Sequence, residues 1–121
     1  MKHDYLRNRR VIRLPCNNVP NIIRIQDLCQ DEYNIYIISE IMPFNLTQIL
    51  RKYTASRQSF SERNAANLIH QILLGLNCLH EDGIVHRDLK LENIMVEIPE
   101  QQGTAEDMIC RITDFGFACS I

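Results

Sequence analysis

With 121 residues the chain has room for one small domain or part of one, and its 45% hydrophobic and 23% charged residues describe a soluble globular class. A formal net charge of −2 implies neither a nucleic-acid partner nor attraction to an anionic membrane. Apolar runs such as residues 35–38 are too short for a transmembrane helix, and no secretory leader is visible behind the charged N-terminus. Cys16, Cys29, Cys78, Cys110 and Cys119 are odd in number, widely scattered and without a Cys-x-x-Cys pair. That pattern argues for reduced thiols in an intracellular, cytoplasmic protein and against a disulfide framework or a zinc site. His3, His70, His80 and His86 show no ligand spacing with acids or cysteines.

In chain order, residues 1–14 are basic, with Lys2, Arg7, Arg9, Arg10 and Arg13 against Asp4 alone. They read as a solvated helix face, with Leu6, Arg10, Val11 and Leu14 along one side, the arginine interrupting it, and Pro15 ending it. Residues 22–28 and 33–39 read as two strands of an antiparallel hairpin, with Asp31-Glu32 in the turn. Residues 46–51 suggest a short helix, and the polar stretch 53–59 a loop. Phe60-Ser61-Glu62 opens the clearest helix. Ser61 is a good N-cap and Glu62 complements the positive helix end, while Asn64 stands where a full capping box wants Glu or Gln. Ala65, Leu68, Ile69, Ile72, Leu76 and Leu79 recur at helical spacing and predict a core-facing stripe. This helix is expected to be the longest and most buried element. Gly83 suits the left-handed residue that ends it. Residues 84–85, 94–96 and 110–113 are short β-like segments. Between the last two, residues 97–108 carry four acids and no base, which predicts an extended surface loop joining two hairpin strands.

The sharpest signal is the run His86-Arg87-Asp88-Leu89-Lys90-Leu91-Glu92-Asn93, followed after a gap by Asp114-Phe115-Gly116. The first run resembles the catalytic loop of eukaryotic protein kinases and the second resembles their metal-binding loop. The chemistry explains the residue types, because phosphoryl transfer needs positioning and charge neutralisation more than covalent help. Asp88 can accept the proton of an incoming hydroxyl. Lys90 is a compact positive charge beside the transferred group. Asn93 offers a neutral oxygen and Asp114 a hard carboxylate for a magnesium ion. A lysine two residues after the aspartate resembles the serine/threonine type. The histidine matching His86 is structural in that family and packs near the phenylalanine matching Phe115.

The resemblance implies an α+β, truncated protein-kinase-like fold: residues 1–43 as a remnant of the small β-rich lobe with the hinge, and residues 44–121 as part of the helical large lobe. It implies ATP and Mg2+ as cofactors and a protein serine or threonine as acceptor, with no nucleic acid or membrane partner. It assigns Asp88 and Lys90 to catalysis and Asn93 and Asp114 to the metal. Glu40, Met42, Asn45 and Met95 fall to the nucleotide, the adenine lying against the backbone of residues 40–42. Ser39 falls at the position that gates a pocket behind the nucleotide. Val19-Pro20-Asn21-Ile22-Ile23 resembles the linker between the regulatory helix and the next strand, and Leu14, Ile25, His86 and Phe115 match a stacked apolar column. The resemblance departs at Arg10, which occupies the position expected for the regulatory-helix glutamate. No glycine-rich phosphate loop or strand lysine lies within the chain, so it is expected to be the middle of a kinase domain. On its own it should be inactive and should leave apolar surface exposed. Two other readings stay open: a non-catalytic kinase-like binding module, and a small-molecule phosphotransferase of the same fold.

Overall fold

The computed structural model describes residues 19–98 and 107–121. The helix expected over residues 1–14, with Arg10 and Leu14, lies outside the described residues. The chain forms two compact units: residues 24–41 belong to the first, and Val19–Ile23 with Met42–Ile121 form the second.

The first unit is an antiparallel hairpin of β1 (Ile25–Gln30) and β2 (Ile35–Ser39). Its turn is organised by Asp31, whose Oδ1 accepts from the backbone N–H groups of Tyr33 at 2.9 Å and Asn34 at 2.8 Å. This is the side-chain turn that makes Asp favourable here. The strands begin later than expected from sequence, for two reasons. Tyr33 and Asn34 are committed to the turn, and the Ile23 N–H donates to Ile112 O in the second unit's own β-structure at 2.9 Å. Glu40 closes the hairpin: its N–H donates to Arg24 O at 2.9 Å, and its Oε1 accepts from Arg24 N at 2.8 Å. Every residue of β2 is exposed, with Ile35 and Ile37 each 65% accessible.

In the second unit, β3 (Phe44–Asn45), β5 (Ile94–Glu97) and β6 (Ile109–Ile112) make one antiparallel sheet in the order β3-β5-β6. A separate two-residue ladder pairs β4 (Ile84–Val85) with β7 (Cys119–Ser120). Helix α1 (Leu46–Ala55) packs on β3 and β5, and α2 (Glu62–Glu81) packs on β6. Asn45 starts α1 with a full capping box. Its Oδ1 accepts from Gln48 N, and its own N–H donates to Gln48 Oε1, both at 2.9 Å. The helix runs through Tyr53–Ala55, a stretch that reads as loop in the sequence. There Tyr53 packs edge-on against Phe60, with centroids 5.1 Å apart, at the rim of the core. A tertiary aromatic contact has outweighed local polarity.

Ser61 caps α2 as expected, its Oγ accepting from Asn64 N at 3.1 Å, and Gly83 takes φ +67° beyond the helix end. With 20 residues α2 is the longest described element, but it is not the most buried. Leu68, Gly75 and Leu79 are buried, Ile72 and Leu76 are partly covered, and Ile69, expected in the core stripe, is 57% exposed, as are neighbouring Leu73 and Leu74 to similar degree. A helix covered along one stripe hides few side chains, whereas the strands it packs on are covered more fully. Val96 and Ile112 are 0% exposed and Cys110 1%. Met108, predicted in a surface loop, is 1% exposed and joins the core of Leu46, Ile49, Leu68, Ile94, Val96, Cys110 and Ile112. Burial pushes the Cys110 thiol up from 9.0 to about 11, against the opposing pull of Arg111. Among the described residues no helix is long and apolar enough to cross a membrane.

Candidate active site

The short strand β4 delivers the chain into His86, which is buried and held from three sides. Its Nε2 lies 2.9 Å from Thr113 O, and its Nδ1 accepts from Asp88 N at 3.2 Å. Those two contacts are compatible only with the proton on Nε2, so the local backbone selects the tautomer. The ring also meets Phe115 in a T-shaped contact at 5.1 Å, as the sequence leads one to expect. No role for it as a base emerges from this geometry: both nitrogens are occupied by backbone.

Arg87 follows in the left-handed region at φ +65°, and its Nε donates to Phe117 O at 2.6 Å. An arginine in that conformation is strained, and the strain is held by the tie to the segment after Asp114. Nothing in the sequence reading assigned Arg87 this anchoring role.

Asp88, Lys90 and Asn93 come together. The Asp88 Oδ2 accepts from Asn93 Nδ2 at 3.0 Å and lies 3.1 Å from Lys90 Nζ. The same Nδ2 donates to Asp88 O at 2.9 Å, so Asn93 closes the loop on itself across five residues. A 3-10 turn (Leu91–Asn93) makes this closure possible, with Asn93 N donating to Lys90 O at 2.9 Å. The consequence is directional. With both amide protons turned to Asp88, the side-chain oxygen of the buried Asn93 is its remaining acceptor, and Asp88 keeps Oδ1 free of any hydrogen bond among the described residues.

Asp114 is brought beside this loop by its predecessor. Thr113 N donates to Asn93 O at 2.9 Å, while Thr113 O faces His86. Asp114 itself is exposed and left-handed at φ +60°, with Oδ1 accepting from Gly116 N at 3.2 Å. A Cβ on Gly116 would stand 3.2 Å from that Oδ1, so the glycine leaves the carboxylate its room. Asp114 and Asn93 therefore present hard oxygens, a carboxylate and an amide, of the kind magnesium takes alongside phosphate oxygens. Among the described residues no three His, Cys, Asp or Glu side chains gather into an all-protein metal site.

The residues expected around a nucleotide are less concentrated. Met42 is buried, with its Sδ 3.5 Å from Arg111 Nη1, and Met95 is half-buried on β5 opposite Asn45. The side chain and N–H of Asn45 are taken by the α1 cap. Glu40 lies in the hairpin unit with its N–H and one carboxylate oxygen already engaged by Arg24.

Against known proteins, residues 3–121 match the family described as the protein kinase domain. The chain is 40% identical over 101 residues to ribosomal protein S6 kinase 2 alpha of Gallus gallus, covering 82% of this chain and 12% of that protein. It is 36% identical over 110 residues to cyclin-dependent kinase F-3 of Oryza sativa subsp. japonica, covering 91% and 23%. It is 33% identical over 118 residues to calcium/calmodulin-dependent protein kinase type 1 of Macrobrachium nipponense, covering 97% and 31%. The chain thus spans less than a third of the length of each of these relatives.

Proposed function

Since this chain belongs to the protein kinase domain family, we propose that it carries the catalytic and metal-binding loops of a protein serine/threonine kinase, which transfers the γ-phosphate of ATP to a protein hydroxyl. One observation supports this above the rest. Asp88, Lys90 and Asn93 share one hydrogen-bonded cluster, and Thr113 ties the backbone before Asp114 to that cluster.

In this reading Asp88 is the base. Asn93 and Lys90 hold its Oδ2, which orients the carboxylate and leaves Oδ1 to accept the proton of a serine or threonine hydroxyl. Lys90 also places a positive charge where negative charge builds on the transferred group. Asn93, through its side-chain oxygen, and Asp114, through its carboxylate, would hold magnesium. That ion, bound with ATP, supplies charge neutralisation at the phosphates. His86 does no proton transfer; it fixes the spacing between the base and the metal carboxylate. Met42 and Met95 are proposed to border the nucleotide, Asn45 to do so only by its place opposite Met95, and Glu40 only through its backbone carbonyl. The protein is proposed to act inside the cell.

The test is ATP binding by calorimetry on the full-length protein, with and without magnesium. Binding should need magnesium in the native protein and lose that dependence in Asp114→Ala. Equal, magnesium-insensitive binding in both would point to the non-catalytic binding module instead.

A further inference from the structure

Strand β6 leads directly to Asp114, and its edge facing away from β5 is filled without a strand. Backbone groups of Met108, Cys110 and Ile112 point that way. Met108 O accepts from Gln71 Nε2 at 2.8 Å, and Cys110 N donates to Gln71 Oε1 at 2.9 Å. Cys110 O accepts from Asn21 Nδ2 at 2.9 Å. Ile112 N donates to Asn21 O at 2.8 Å, and Ile112 O accepts from Ile23 N at 2.9 Å. The two side-chain amides are joined as well, Asn21 Nδ2 donating to Gln71 Oε1 at 2.9 Å.

The arrangement is demanding. Asn21 is buried and left-handed at φ +65°, a conformation that asparagine tolerates better than most residues. Its carbonyl approaches α2 so closely that a Cβ on Gly75 would stand 2.8 Å from it. Gln71 sits one turn earlier on the same helix and turns its amide under the strand. The Gln71 amide supplies what a neighbouring peptide group supplies in a sheet, one donor and one acceptor, and Asn21 does the same with its side-chain Nδ2 as donor and its backbone carbonyl as acceptor.

We infer that Asn21 and Gln71 are positioning residues for the proposed reaction, acting together as a surrogate edge strand that fixes the height of β6 and hence the placement of Asp114 relative to Asn93. This rests on the metal-binding reading of Asp114. Neither residue is among those proposed to hold the nucleotide or the metal. They act through a short lever: Met108 and Cys110 are pinned by the amides, Ile112 by the backbone of Asn21 and Ile23, Thr113 by Asn93 and His86, and Asp114 follows. Without the amides the edge loses its partners at Met108 and Cys110, and the start of the strand is free to shift. Partners that orient a metal ligand from behind commonly alter metal affinity by about 10–100-fold.

The experiment uses the full-length protein and a fluorescent mant-ATP probe titrated with MgCl2, alongside urea unfolding. Asn21→Gly keeps the backbone conformation and removes the amide. Gln71→Met keeps the length and apolar stem. Both should raise the magnesium concentration at half-maximal binding by about tenfold, the low end of that range, with little change in probe affinity at saturating magnesium. Gln71→Glu should be impaired at high pH, where its second oxygen faces Met108 O as a charge. It should approach native behaviour as pH falls and the protonated carboxyl regains a donor. A merely structural role would lower stability and binding amplitude but leave the magnesium midpoint where it was, and that result overturns the inference. If Gln71→Met does not fold, Asn21→Gly decides alone. Asp114→Asn is measured in parallel. A shift there without one in Asn21→Gly removes only the inference, whereas no shift in Asp114→Asn removes the metal reading and the inference with it.

Discussion

Replacing Gly75 by alanine sets two opposing effects against each other, and the structure says which wins. In a helix interior, alanine is favoured over glycine by about 1 kcal/mol. Position 75 is buried on α2, however, and the new Cβ would lie 2.8 Å from the carbonyl oxygen of Asn21 and 3.1 Å from Ile112 Cδ1. The first neighbour is backbone, and it cannot rotate away as a side chain can. That carbonyl accepts from Ile112 N at 2.8 Å, so displacing it stretches a bond on the β6 edge. Overpacking of this sort costs about 1–3 kcal/mol, and an orphaned buried N–H adds about 1–3 kcal/mol. The sum exceeds the propensity gain, and Gly75→Ala should destabilise the protein by about 1–5 kcal/mol, the low end applying if residues 19–23 shift to relieve the contact. Urea unfolding followed by circular dichroism measures it, with an unchanged m-value as the sign that only the native state was altered. A variant as stable as the native protein, or more so, would refute the reasoning, because it would mean that the Asn21 segment yields freely.

Three further outcomes follow from single contacts. His86→Phe keeps an aromatic ring beside Phe115 but strands Asp88 N and Thr113 O, so unfolding free energy should fall by about 2 kcal/mol or more; unchanged stability in urea would show that the histidine only fills space. The thiol of Cys110 ionises near 9.0 when unfolded and at about 11 when folded. The stability it contributes is therefore present below about pH 9 and lost as pH rises towards 11, and the native-minus-Cys110→Ala difference in urea midpoint should decline across that window and stay flat below it. Asn45→Ser should preserve the α1 cap and leave ATP affinity unaltered, whereas Asn45→Ala should lose about 1 kcal/mol of stability; a drop in ATP affinity for the serine variant would show that the asparagine side chain meets the nucleotide.

What the sequence disclosed, and what it hid, divides along physical lines. Ser61 and Gly83 are local signals: each acts within a few residues of itself, and both stand where their chemistry places them. The loop at residues 86–93 was legible because its spacing of polar residues serves one local cluster, and that cluster forms. Long-range features were not legible. Ile22 and Ile23 read as the start of the strand that follows, yet Ile22 pairs with Ile112, some ninety residues on, through bonds made by its neighbours Asn21 and Ile23. Tyr53 looked like loop because its partner, Phe60, lies beyond the helix end. Met108 sits after an acidic stretch that gives no hint of burial. Gln71 is a polar residue on the flank of an apolar stripe, and periodicity cannot say that its amide completes a strand edge. The signals that pointed that way were a glycine inside a helix at 75 and an asparagine after proline at 21. Each marks a close backbone approach or a special φ without naming its partner.

The central claim is that Asp88 takes the proton from a serine or threonine hydroxyl while Asn93 and Asp114 serve the metal. The most direct measurement is transfer of the labelled γ-phosphate of ATP to a protein substrate by the full-length protein, with the modified residue identified by mass spectrometry and Asp88→Asn as the matched variant. Magnesium-dependent labelling of serine or threonine that falls by about 10²–10⁴ in Asp88→Asn is the predicted result, the loss expected when a positioned base is removed. Labelling that is equally fast in Asp88→Asn, or no labelling by a native protein that binds ATP and magnesium, would contradict it.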